Sequence, residues 1–138
     1  MKTTTCALLE LPKMTDPRGN LSFVEETRHI PFAIRRVFFL YDVPSAERRA
    51  GHALRRCHQF IVAMSGSFDV LVDYGGGRER FRLSRADHGL YLPPLVWREI
   101  ENFSTNSVCL VLASEFYDIQ DYVDTYEDFL KVVGTPSR

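Results

Sequence analysis

Between Arg48 and Gln59 the chain gathers side chains that can move protons and hold anions: Arg48, Arg49, His52, Arg55, Arg56 and His58. Imidazole titrates near neutrality, so it is the side chain best suited to take a proton from an activated carbon and return it. His52 is the candidate base. His58 is a second candidate, because a strand through this segment would put His52, Leu54, Arg56 and His58 on one face by period-two alternation. His29 and His88 stand beside turn signals, Pro31 and Gly89, and are given no role. Guanidinium groups form paired, charge-assisted hydrogen bonds to phosphate oxygens. Arg18 lies in an Asp-x-Arg-Gly turn and Arg49 just before His52. Arg35, Arg36, Arg48, Arg55 and Arg56 read as solvated surface charges. Tyr91 and Trp97 offer flat rings that can stack on a base or line a cavity.

The elements that must position these groups read as short strands between turns. Residues 21–25 alternate weakly, and residues 34–41 form a β-branched and aromatic run that ends at Asp42-Val43-Pro44. Residues 59–64 and 68–73 flank Ser65-Gly66-Ser67, which predicts a hairpin turn. Phe68, Val70 and Val72 share one face of the second run, and Asp69, Leu71 and Asp73 share the other. Gly75-Gly76-Gly77 predicts a further tight turn, since glycine reaches positive φ without steric cost, and residues 78–83 return from it. Residues 89–92 stop at Pro93-Pro94, and residues 108–114 form a nearly continuous apolar strand. Strands at this density point to a sandwich or barrel. The period then changes: Ile119, Tyr122, Val123, Tyr126, Phe129, Leu130 and Val133 follow helical spacing. Asp118 would cap that helix and Gly134 would end it.

Composition narrows the class. The chain has 138 residues, enough for one domain spanning 1–138, with 17 basic and 18 acidic side chains and a net charge of −1. That balance argues against nucleic acid as a partner, which usually demands a basic excess. Cys6, Cys57 and Cys109 are odd in number and widely spaced, so neither a disulfide framework nor a structural zinc site is expected, and a reducing cytoplasm fits. The N-terminus lacks the apolar core of a signal peptide. No apolar run approaches the roughly 18 residues of a membrane span.

The histidine segment also resembles the cupin type, an all-β β-barrel or jelly roll, here followed by a C-terminal helix. Metal-holding cupins carry a His-x-His pair, a glutamate four residues on and a further histidine after a proline. On this chain those positions are His52, Leu54, His58 and, beyond Pro93, Arg98. Leucine has no donor atom and arginine stays protonated. No metal is therefore expected, and Arg98 becomes a further candidate for binding sugar or phosphate.

The segments Asp16-Pro17-Arg18-Gly19-Asn20-Leu21, Ile34-Arg35-Arg36-Val37, Arg49-Ala50-Gly51-His52-Ala53, Gly89 to Glu99 and Val111 to Asp118 are similar to those of the dTDP-4-oxo-6-deoxyglucose 3,4-ketoisomerases. The resemblance runs from Asp16 to Phe129. It implies a metal-free, cofactor-free homodimer, in which an N-terminal strand can be exchanged between subunits. Such an enzyme moves the ketone of a dTDP-linked 4-keto-6-deoxyhexose from C4 to C3 through an enediol, for surface-glycan deoxysugars such as those of lipopolysaccharide O-antigen. His52 and His58 would be catalytic, and Arg18, Arg49, Arg98, Tyr91 and Trp97 would hold the substrate. The family's second motif histidine falls at Leu54, and Phe38-Phe39 stands where tyrosines are common. Those two positions motivate a second reading, a non-catalytic cupin that binds dTDP-sugar.

Overall fold

In the computed structural model, which describes residues 5–134, the alternation read in the sequence becomes two facing antiparallel sheets. Chain order runs through β1 (Ala7–Glu10), β2 (Lys13–Asp16), β3 (Gly19–Ser22), β4 (Arg36–Tyr41), β5 (Arg49–Leu54) and β6 (Gln59–Ser65). It continues through β7 (Phe68–Asp73), β8 (Arg78–Leu83), β9 (His88–Leu92), β10 (Trp97–Glu101) and β11 (Val108–Ala113). A 3₁₀ turn (Ile119–Asp121), β12 (Tyr122–Val123) and α1 (Tyr126–Val133) close the chain. One sheet has the order β1-β9-β6-β11-β4, the other β12-β5-β10-β7-β8, and β2 and β3 form a separate hairpin. The fold is thus an all-β jelly roll with a short C-terminal helix, as expected, built as two sheets.

Inward residues from both sheets make one core. Ile61, Leu90, Cys109 and Val111 of the first sheet meet Phe68, Val70, Val72 and Ile100 of the second. The outer face of the first sheet is covered where Ile30 and Phe32 pack on Phe60, Val62, Tyr91 and Leu112. On the outer face of the second sheet, Trp97 and Ala53 lie beneath Val123 and Phe129.

Three local expectations are corrected. Residues 21–25 do not form a strand: β3 ends at Ser22 and pairs only with β2. Ser65-Gly66-Ser67 is not a hairpin turn, because β6 belongs to the first sheet and β7 to the second. The chain crosses between sheets there, held by the paired backbone and hydroxyl bonds of Ser67 and Ser104. Gly66 takes φ +69° against Ser104 and Ser107, where a Cβ would clash. Crossing lets Phe68, Val70 and Val72 face the first sheet rather than extend it. The C-terminal helix begins later than its periodicity suggested. Asp118 caps only the 3₁₀ turn, Tyr122 and Val123 pair with Leu54 and Ala53 of β5, and Thr125 caps α1 by accepting from Asp128 N. Strand pairing wins over helical spacing because β5 otherwise has a bare edge.

Candidate active site

Antiparallel pairing of β5 with β10 sets His52 directly opposite Arg98, so both side chains project from the same face of the sheet. That face looks into a cavity of about 380 Å³ between the two sheets, within the size range of small-molecule sites. Phe38, Leu40, Ile61, Ile100 and Val111 give it apolar walls, and Arg48, Arg49, His52, Gln59, Arg98 and Tyr122 supply polarity. The charge is graded. Arg48 and Arg49 are exposed and His52 is partly buried, whereas Gln59 and Arg98 are only 3% and 1% exposed.

Arg98 is held from two sides. Its Nη1 donates to Gln59 Oε1 at 2.5 Å, and its Nε donates to the Val96 carbonyl at 3.2 Å. Burial lowers its pKa to about 10, so it remains a cation at neutral pH. Burial is also the chief cause that pushes His52 down to about 3, followed by the positive fields of Arg98 and Arg36. The imidazole is therefore neutral and able to accept a proton. Its ring lies 4.8 Å from that of Tyr122, centroid to centroid.

Of the residues expected in a site, the structure brings three together in this cavity: His52, Arg49 and Arg98. Arg49 has no ion-pair partner among the described residues, whereas Arg48 is paired with Glu99 and Glu101 at 2.6 Å. The shared face expected for His52 and His58 is not found. β5 ends at Leu54, residues 55–58 turn toward the first sheet, and Gln59 is the inward residue there. His58 consequently points to the outer face of the first sheet. Its Nδ1 lies 2.7 Å from the Tyr91 hydroxyl, and its ring stacks on Phe32. Tyr91 is buried in the same outer cluster, away from the cavity. Trp97 adjoins Arg98 and so faces the opposite way, packed on Tyr126 and Phe129 with Nε1 donating to Glu99. It lines a separate cleft of about 350 Å³ on the outside of the sheet. Arg18 sits in the exposed β2–β3 hairpin and pairs with Asp16 at 2.7 Å.

Sequence reasoning passed over Gln59, Tyr122 and Arg36. The available signal for Gln59 was a polar residue opening the apolar run Phe60-Ile61-Val62-Ala63. Arg36, read as a solvated charge, is partly buried above the Phe38 ring and acts on His52. Leu54 is fully buried beside Cys57, Ala113, Phe38 and Tyr122. Among the described residues lining the cavity, His52 is the sole imidazole and there is no carboxylate or thiol. That donor set does not fit a metal, since catalytic metal sites usually take three protein ligands.

Known proteins are similar to this chain over nearly its whole length. Residues 4–134 match the family described as "FdtA: WxcM-like, C-terminal". A TDP-4-oxo-6-deoxy-α-D-glucose-3,4-oxoisomerase from Aneurinibacillus thermoaerophilus is 37% identical over 127 residues, 92% of this chain and 91% of the relative. The crystal structure of QdtA, a sugar 3,4-ketoisomerase from Thermoanaerobacterium thermosaccharolyticum in complex with TDP, superimposes with a TM-score of 0.91 at 33% identity, covering 93% of each chain. The TDP-quinovose 3,4-ketoisomerase WlaRB from Campylobacter jejuni gives a TM-score of 0.89 at 38% identity, covering 94% of this chain and 99% of its own. Match and likeness extend from the first strand to the C-terminal helix, and on that ground the chain belongs to the FdtA, WxcM-like family.

Proposed function

We propose that the chain is a nucleotide-sugar 3,4-ketoisomerase that converts a dTDP-4-keto-6-deoxyhexose to its 3-keto isomer. The observation that carries this reading is the neutral His52 set opposite the buried Arg98 guanidinium in a cavity of substrate size. His52 takes the proton from C3, the C3–H electrons form the C3=C4 bond, and the charge gathers on O4. Arg98 is fixed in place before reaction and stabilises that oxyanion. O4 then gains a proton, O3 loses its own, C3 becomes the ketone, and the imidazolium delivers a proton to C4. A base with so low a pKa is weak in the empty cavity. The diphosphate and the enediolate bring negative charge that offsets the fields of Arg98 and Arg36 and strengthens it. Arg49, exposed at the cavity and without an ion-pair partner among the described residues, is suited to the diphosphate. The family resemblance and the cavity's donor set support a reaction without metal or cofactor. The expected setting is cytoplasmic deoxysugar synthesis for surface glycans such as O-antigen.

Incubation with dTDP-4-keto-6-deoxyglucose in deuterated water tests the reading. Deuterium at C3 of the recovered substrate and at C4 of a 3-keto product is expected. Tight dTDP binding with neither exchange nor product would overturn it in favour of a non-catalytic sugar-nucleotide binder.

A further inference from the structure

The two most deeply buried polar side chains of the cavity each keep one donor unused. Gln59 and Arg98 are 3% and 1% exposed, and both line the cavity. Arg98 Nη1 donates to Gln59 Oε1. Because guanidinium can only donate, the amide orientation is forced: its oxygen faces Arg98 and its nitrogen is left over. Neither Gln59 Nε2 nor Arg98 Nη2 has a hydrogen-bond partner among the described residues. An orphaned buried donor costs about 1–3 kcal/mol, and the two residues that carry these are joined by the bond between Arg98 Nη1 and Gln59 Oε1. An acceptor pair brought by the ligand is the natural complement, and a keto-sugar carries one in its adjacent carbonyl and hydroxyl oxygens.

We infer that Gln59 is a substrate-contacting residue whose Nε2 donates to the O3/O4 oxygen pair of the sugar, forming with Arg98 Nη2 a two-donor cradle for the enediolate. This rests on the ketoisomerase reading and adds to it the group that completes the oxyanion site. Arg98 both positions Gln59 and shares its load. As charge grows on O4 while His52 takes the C3 proton, both donors shorten onto the sugar oxygens. dTDP alone lacks those oxygens and gains nothing from the cradle.

Two variants separate a donor from a structural prop. Gln59→Glu keeps an acceptor for Arg98 and replaces the amide donor with a carboxylate oxygen. Gln59→Met removes the donor without adding charge. Calorimetry would compare dTDP with dTDP-4-keto-6-deoxyglucose, and deuterium entry at C3 would follow chemistry. In both variants dTDP affinity should stay within about twofold, the extra affinity of the keto-sugar over dTDP should vanish, and exchange should fall about 100-fold, the size of losing one oxyanion donor. Exchange within about threefold of wild type, or a parallel loss of dTDP and keto-sugar binding, would overturn the inference. A wild-type protein that exchanges nothing refutes the ketoisomerase reading, whereas the keto-sugar increment still decides the role of Gln59.

Discussion

His52 shows how far placement alters a side chain. Free in the unfolded chain it titrates near about 6.5, and in the fold it is pushed to about 3 by burial, Arg98 and Arg36. The unfolded chain therefore takes up a proton below about 6.5 that the folded protein refuses until far lower pH. Its contribution to stability is complete above that pH and is lost as pH falls from 6.5 toward 3. Between pH 7 and 4.5 the wild type should lose about 2 kcal/mol more than His52→Gln in urea unfolding. Identical pH dependence in the two proteins would show that the imidazole is not desolvated as described. Leu54 belongs to the same scale. It is fully buried between Phe38 and Tyr122, both of which line the cavity. Among the described residues lining the cavity, His52 is thus the sole imidazole.

The strands act as rulers that decide which groups meet. β10 alternates Trp97 outward under α1 and Arg98 inward opposite His52, so one residue of slip would exchange an aromatic for the guanidinium. The first sheet is held in register from its outer face by close packing of Phe60 over Gly89. A Cβ at Gly89 would clash with the edge of the Phe60 ring at its Cζ. Gly89→Ala should therefore cost about 1–3 kcal/mol, the usual penalty of overpacking, and calorimetric melting will measure it. A melting temperature equal to wild type would mean that Phe60 yields freely. Because β9 and β6 hold Gln59 in place from this sheet, the same variant probes how firmly the cavity's far wall is set.

At the scale of the whole molecule, the surface is uneven. Val37, Phe39 and Tyr41 of the edge strand β4 are more than half exposed, and Met64 nearly so. Met14 and Leu21 stand exposed on the β2–β3 hairpin with Arg18 at its turn. Contiguous apolar surface of this kind usually marks an interaction face. A homodimer is proposed on these grounds, with the hairpin as the exchanged element that would bring Arg18 to a partner. Sedimentation velocity should give a dimer, and Phe39→Glu should shift it toward monomer; an unchanged monomeric coefficient for both would refute it. Among the described residues no helix is long and apolar enough to cross a membrane.

The sequence alone determined the strand-rich class, the inward face of Phe68, Val70 and Val72, and the Gly75–Gly77 turn. Each of these follows from local chemistry or from period-two alternation inside one strand, which needs no knowledge of the neighbours. Arg49 and Arg98 are singled out by resemblance to known families, and the structure lines one cavity with both and His52. Tertiary structure decided the rest. Alternation does not carry across residues 55–58, so the outward turn of His58 depended on β6 joining the other sheet. Trp97 and Tyr91 are of types equally at home in a cavity or a core, and only the layers covering each sheet assign them to cores. Gln59 lines the cavity because β6 turns it inward, and Arg98, distant in sequence, takes its oxygen and leaves its nitrogen without a partner among the described residues.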